Sequence, residues 1–368
     1  MELEIIIIKG VIYMNLFEYV KKYNYTFKER EFNEVDNLVF AVLAYVDYND
    51  VLGNTKESLL EVANKFNKLH TKNDFKYDMS AVKDGIKLLN VAKDNKRYKD
   101  ILLSNNVYIG NEEEQFSAIT FDIDETVSYV AFEGTDKLIS GWFEDAAMCY
   151  KFPVPSQKSA IRYLNKYFTF SNRKIIVGGH SKGGNLALVA SMYANMFVRS
   201  RIIKIYSNDG QGLKIKEIES RRYKNIYNRY NHIIPYNSLV GILLRHEDFS
   251  DSIIVDSSRP IVFSHAAASW IIKDDHFVRR EISSNSKKID RIISNWLDKY
   301  DYFTRKYFVE DIFNVLKKNN ITEISQFKEN YINIFRLIKY SNDISDKSKE
   351  MMRDLREIIV EINKDIKK

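Results

Sequence analysis

The sequence predicts an α/β fold in three layers, a mostly parallel sheet between helices, and three observations predict it. Short β-branched and aromatic runs recur at Val127–Phe132, Ile175–Val177, Ile202–Tyr206, Ile226–Ile234 and Ile253–Phe263, with helical patterns between several of them, the alternation expected of an α/β sheet. Helical spacing dominates both ends of the chain. One strand-like run, Lys174–Val177, passes through a glycine-rich turn straight into a helix former, Gly178-Gly179-His180-Ser181-Lys182-Gly183-Gly184-Asn185-Leu186-Ala187-Leu188-Val189. These patterns divide the chain into an N-terminal helical layer over residues 1–105, an α/β core over 106–270 and a C-terminal helical region over 271–368.

Taken in order, Met1–Ile8 is apolar but carries two glutamates and no basic start, so it does not read as a secretory signal. Met14 opens a more typical beginning, which leaves residues 1–13 as an extension. Leu38, Val39, Val42 and Leu43, then Leu59, Leu60, Val62, Ala63 and Phe66, follow helical spacing between turn residues. Phe116–Phe121 and Val127–Phe132 alternate as strands around the acidic turn Asp122-Ile123-Asp124-Glu125-Thr126. Past Trp270, helical patterns occupy Ile289–Leu316 and Ile324–Ile338, and Met351, Leu355, Ile358, Ile359, Ile362 and Ile366 make one apolar face in the tail, suited to docking on the rest of the chain.

Composition narrows the class. A chain of 368 residues with 45% hydrophobic and 29% charged residues has ample material for a large core. The formal charge of +6 is spread through lysine-rich helical stretches and not gathered in a block, which reads as a solvated surface and not a nucleic-acid site. It is compatible with weak peripheral contact with anionic lipid. Cys149 is the only cysteine, so no intrachain disulfide can form. No apolar run is long enough to span a membrane, and the expected location is cytoplasmic.

The glycine-rich turn carries the chemistry. A strand, a sharp turn G-x-S-x-G and a helix form a nucleophile elbow, which makes Ser181 the candidate nucleophile. Gly179 and Gly183 remove the Cβ atoms that would collide where strand meets helix, and Ser181 is expected in a strained left-handed conformation. The Lys182 amide then begins a helix, where free N–H groups favour developing negative charge and supply half of an oxyanion hole. A phosphate-binding loop does not fit, because no Gly-Lys-Ser/Thr closes the run.

A serine needs a base and an orienting acid. Of the six histidines, His180 belongs to the elbow and His70 to the helical layer; His246 and His276 read as surface residues. His265 sits where the run Ile261-Val262-Phe263 gives way to Ala266-Ala267-Ala268, and it is the expected base. Asp209, in the turn Asn208-Asp209-Gly210 after Ile202–Tyr206, is the expected acid, with Glu247 and Asp248 as alternatives. Val130–Asp136 supplies Thr135 as a second oxyanion donor from a loop after an earlier strand.

With these residues identified, Val130–Asp136 followed by Gly141-Trp142-Phe143-Glu144-Asp145 resembles the paired motifs of class 3 (fungal-type) lipases, as does the elbow Gly178–Gly184. The chain more closely resembles a bacterial domain-of-unknown-function family with an α/β-hydrolase core. That resemblance runs through Phe32–Asp36, Gln115–Ala118, Gly179–Asn185, Asn208–Gly210, Ile234-Pro235, Ser238–Gly241, Ser264-His265 and Ser269-Trp270 into the C-terminal helices. It implies an α/β-hydrolase three-layer sandwich with helical N-terminal and C-terminal additions. It also implies Ser181 and His265 as nucleophile and base, Thr135 as oxyanion residue and Asp145 as a structural acid. Two positions depart from the lipase pattern: Glu133 stands where arginine is usual, and His232 where the catalytic aspartate is usual.

The expected reaction is hydrolysis of a carboxylic ester, lipid or small molecule, through an acyl-enzyme, with no metal or organic cofactor. Tyr236–Phe249, with Leu239, Val240, Leu243 and Leu244, reads as a lid or a core helix. Two alternatives stay open. Asp122 and Asp124 resemble the D-x-D-x-T opening of haloacid-dehalogenase-type phosphatases, although a second strand and not a helix follows them. The same scaffold could also bind a ligand or partner without turnover.

Overall fold

The computed structural model describes residues 6–8, 11–71, 73–76, 78–246, 251–323, 326, 341 and 343–366. A hairpin of β1 (Ile6–Ile8) and β2 (Val11–Tyr13) leads into α1 (Leu16–Lys22), α2 (Glu34–Leu43), β3 (Glu57–Ser58), α3 (Leu59–Leu69) and α4 (Ser80–Ala92). Then come β4 (Leu102–Gly110), β5 (Gln115–Asp122), β6 (Val127–Phe132), α5 (Ile139–Ala147), α6 (Pro155–Phe168), β7 (Lys174–His180), α7 (Lys182–Tyr193), α8 (Met196–Arg199) and β8 (Ile202–Asn208). The chain continues through α9 (Ile215–Ile218), α10 (Arg221–Lys224), β9 (Tyr230–Pro235), β10 (Ile253–Val255), β11 (Ile272–Lys273) and β12 (His276–Phe277). Among the described residues three long helices follow: α11 (Ser284–Lys299), α12 (Tyr302–Lys318) and α13 (Asp346–Ile366).

Eight strands form one sheet in the order β10-β9-β8-β7-β6-β5-β4-β3. Neighbours from β6 to β10 run parallel and those from β3 to β6 antiparallel. Strand alternation assigns the two faces. Ile119, Phe121, Tyr129, Ala131 and Ile176 pack into a core with α1, α2 and α4. Their sequence neighbours Ala118, Val130, Phe132, Ile175 and Val177 pack into a second core with α6 and α7. The sheet is therefore flanked by helices on both faces.

Two expected strands are shorter than their apolar runs suggest. Tyr227–Arg229 forms a single 3-10 turn, so β9 starts only at Tyr230. Past Val255 the Asp256 amide bonds Val278 and Ser258 bonds Ser269. After Pro260 the chain then coils into a 3-10 turn over Ile261–His265. Tyr236–His246 is a series of turns, not a helix; Gly212 N–H donates to Leu243 O at 2.9 Å. The rest of the expected lid, 247–249, and nearly all of Ile324–Ile338 lie outside the described residues. In α13, Met351 is buried, whereas the side chains of Ile359, Ile362 and Ile366 are outside the described set. No helix among the described residues is long and apolar enough to cross a membrane.

Helix α2 is buried along nearly its whole length. Asn33 caps it, accepting from Val35 N–H (2.9 Å) and Asp36 N–H (3.0 Å), while Asp36 Oδ2 accepts from Asn33 N–H (2.9 Å). Asp36 also receives Arg97 Nε (2.7 Å), Arg97 Nη2 (2.6 Å) and the Tyr98 hydroxyl (2.6 Å). Both charged side chains are fully buried, and Arg97 further donates to the carbonyls of Tyr25, Thr26, Arg30 and Glu31. Removing one partner strands the other charge in low dielectric, which typically costs about 3–5 kcal/mol. Asp36→Asn is expected to lower the unfolding free energy by that amount, read as a lower urea midpoint at unchanged m-value; a loss under ~1 kcal/mol would show that the pair is not needed to seat α2.

Candidate active site

Strand β7 ends at His180 and α7 starts at Lys182, so Ser181 makes the whole turn, with φ 58° and ψ −131°. The positive φ agrees with the expected strain, but ψ lies outside the left-handed helical well. Ser181 N–H donates to Asn208 O (2.9 Å), and Gly184 N–H donates to Ser181 O (2.9 Å). A Cβ on Gly183 would fall on the Phe132 carbonyl, and one on Gly179 on the Gly183 carbonyl. Helix and strands can approach this closely only because both positions are glycine.

Asp209 follows β8, also at positive φ (49°), and is fully buried. Its Oδ1 accepts from Ser238 Oγ (2.5 Å) and Gly241 N–H (3.0 Å), and its Oδ2 meets His265 Nδ1 at 2.6 Å. With Nδ1 donating to the carboxylate, His265 Nε2 is the acceptor nitrogen. The histidine sits at the end of the 3-10 turn after Pro260, not at a strand end. Trp270, fully buried, holds this loop by donating from Nε1 to Ser264 O (3.0 Å). The His265 ring packs on the ring of His180, with centroids 4.6 Å apart. Among the described residues, no hydrogen bond links Ser181 Oγ to His265, whose bonded ring nitrogen is Nδ1.

Around the elbow, Lys182 has a fully buried side chain whose Nζ donates to Glu144 Oε2 (2.7 Å), Gln115 O (2.7 Å) and Gln115 Oε1 (3.1 Å). The sequence pattern pointed only to its amide; the Glu144 partner lies 38 residues away and leaves no local signal. Thr135 Oγ1 donates to Asp145 Oδ2, and Gln211 Nε2 donates to Asp145 Oδ1 at 3.2 Å. The hydroxyl of Thr135, the expected oxyanion residue, is thereby committed to Asp145. Burial pushes the Asp145 carboxyl up to about 6. Glu133 is buried on the same loop and raised well above the usual carboxylate range by desolvation and then by Asp136.

Beside Asp145 and Gln211 lies a cavity of about 200 Å³, walled chiefly by Leu243, Leu244, Ile293, Trp296, Phe308 and Met351. Its lining joins the turn after β9 to α11, α12 and α13.

The remaining sequence candidates fall elsewhere. Asp122 accepts from Lys56 (2.5 Å) and Ser128 Oγ (2.6 Å). Asp124 Oδ1 accepts from Thr126 N–H (2.6 Å) and Val127 N–H (2.8 Å), so both serve the β5–β6 hairpin. His232 is buried on β9, bonded through Nδ1 to Ser252 Oγ (2.9 Å) and stacked on His246 with ring centroids 4.2 Å apart. His246 is thus packed against a neighbour and not a surface residue, because the Gly212–Leu243 pairing draws its segment inward. Glu247 and Asp248 lie outside the described residues.

The molecule at this point is a mixed α/β protein with a serine on a strained strand-to-helix turn and a carboxylate–imidazole pair nearby. A family model described as Mbeg1-like matches residues 92–314, and the chain belongs to that family. No curated protein matches it. Among solved structures it is similar to M37 lipase, at 14% identity over 63% of this chain and 77% of that one, with a TM-score of 0.32.

Burial, and then the charge of His246, push His232 well below the ordinary histidine range. The folded state keeps this ring neutral while the unfolded chain protonates it below about pH 6.5, so its contribution is complete above that pH and is lost as pH falls. His232→Gln is expected to make the acid-side decline in unfolding free energy shallower by up to ~1.4 kcal/mol per pH unit near pH 5. An unchanged slope in denaturant titrations from pH 7 to 5 would contradict this.

Proposed function

We propose that the protein is a serine hydrolase of esterase or lipase type, built on an α/β-hydrolase core over about 106–270 and related to class 3 lipases. The reading rests on one observation: a carboxylate–imidazole bond of 2.6 Å between Asp209 and His265, packed against an elbow that holds Ser181 at positive φ.

In the proposed reaction Ser181 Oγ attacks the ester carbonyl carbon and His265 Nε2 takes its proton. The carbonyl oxygen gains the negative charge and is met by the N–H groups of Lys182 and Thr135. The C–O bond breaks, the alcohol leaves with the proton from His265, and water repeats the cycle on the acyl-enzyme. Asp209 fixes the tautomer and stabilises the imidazolium. The pairing of Thr135 Oγ1 with Asp145 supports a backbone role for Thr135.

The apolar cavity next to Gln211 supports a substrate with an apolar acyl group. At about 200 Å³ it exceeds the roughly 150 Å³ that admits benzene. The turn structure of Asp122 and Asp124 counts against a phosphatase.

A fluorophosphonate probe is expected to label Ser181 in the wild type and not in a folded Ser181→Ala variant, with ester turnover falling at least ~10³-fold. Asp209→Asn should lower kcat on the order of 10³- to 10⁴-fold without loss of fold. A folded wild type that neither labels nor turns over esters would replace this reading with that of a binding scaffold.

Filling the cavity tests the acyl assignment. Leu244→Trp is expected to lower kcat/KM for an octanoyl ester about tenfold relative to an acetyl ester; an equal effect on both chain lengths would remove the cavity from the substrate site.

A further inference from the structure

The side chain of His180, the residue before Ser181, is buried and has a partner on each ring nitrogen: Nδ1 lies 2.9 Å from the Tyr45 hydroxyl, and Nε2 lies 2.8 Å from the carbonyl oxygen of His265. A carbonyl only accepts, so Nε2 must carry the proton. Nδ1 is then an acceptor, and the Tyr45 hydroxyl must be its donor. Both neighbours' chemistry agrees with this direction. Burial lowers His180 to about 3, which keeps the ring neutral, and burial next to Glu133 and Asp145 raises Tyr45 well above its usual range, which keeps its proton. The same hydroxyl lies against Gly134 of the oxyanion loop. A Cβ at Gly134 would run into it, which explains the glycine.

We propose that Tyr45 and His180 are positioning residues that set the height and orientation of the His265 loop over Ser181. One hydroxyl sits where three segments meet: the oxyanion loop at Gly134, the elbow at His180 and, through the imidazole, the backbone of His265. The hydrogen bonds run in one direction, from the Tyr45 proton to His180 Nδ1 and from His180 Nε2–H to His265 O. Tyr45 comes from the turn after α2, and α2 also reaches the elbow from below. Asn37 Nδ2 donates to Asn208 Oδ1 (2.8 Å), and Asn208 Nδ2 donates to Gly179 O (3.0 Å). The N-terminal helical layer thus completes the site, although Tyr45 and Asn37 precede the matched region 92–314.

This rests on Ser181 and His265 being nucleophile and base, and the test separates the two claims. Fluorophosphonate labelling of the wild type reports on the hydrolase reading alone. In an active enzyme, Tyr45→Phe should lower kcat roughly 10- to 100-fold, as an ångström-scale misplacement does, with KM within about twofold and Tm nearly unchanged. His180→Leu should behave alike. His180→Gln, whose amide N–H can replace Nε2–H toward His265 O, should recover most of the rate. Wild-type kcat in Tyr45→Phe would overturn the proposal. So would Gln performing no better than Leu, or rate losses that follow Tm across the three variants. If the wild type does not label, ¹⁵N NMR of the histidine rings still decides: an Nε2–H His180 whose tautomer and His265 signals change in Tyr45→Phe supports the arrangement, and an Nδ1–H His180 or unchanged signals refute it.

Discussion

The site depends on one steric constraint, the contact of β7, β6 and the start of α7 through two glycines. Because Gly183 lies on the Phe132 carbonyl and Gly179 on the Gly183 carbonyl, the chain has no room to relax at Ser181, which keeps φ 58°. Such backbone strain costs on the order of 1–3 kcal/mol and persists only where the surroundings over-determine it. Here they do so through Asn208, which takes the Ser181 amide on its carbonyl and bridges Gly179 to Asn37 with its side chain.

Two buried ion pairs hold the elements that supply this pressure. Asp36–Arg97 fixes α2 against the turn before β4, and Lys182–Glu144 fixes the first residue of α7 against α5 and β5. Buried charges are tolerated only with partners and full hydrogen bonding, and both pairs meet that condition with additional carbonyl acceptors. The conformational freedom removed by these pairs keeps α2 and the start of α7 pressed against the elbow that holds Ser181 at positive φ.

The outer helices have a different role. Leu243, Leu244, Phe308 and Met351 wall apolar space next to Asp145 and Gln211, whereas the N-terminal region reaches the elbow from α2 through Asn37 and Asn208. Glu133 and Asp145, raised by burial, sit at the boundary between the two.

Local features were legible from the sequence because they depend on neighbouring residues. The elbow glycines, the Asp122–Thr126 hairpin, the alternation of β5 and β6 and the N-terminal helices could all be read from spacing. The chain order Ser181, Asp209, His265 was legible too, though only as candidates. Apolar content misled where long-range pairing overrode propensity. Ile253–Phe263 yields three strand residues because its continuation bonds Val278 and Ser269, and Tyr236–His246 stays in turns because Gly212 and Leu213 take up its backbone groups. The 2.6 Å contact of Asp209 with His265, the commitment of the Thr135 hydroxyl to Asp145, the Glu144 partner of Lys182 and the Tyr45–His180 bond were decided only in three dimensions. A hydrogen bond between residues 10 to 135 positions apart leaves no period or spacing in the chain; it exists only once the sheet has set which loops share an end.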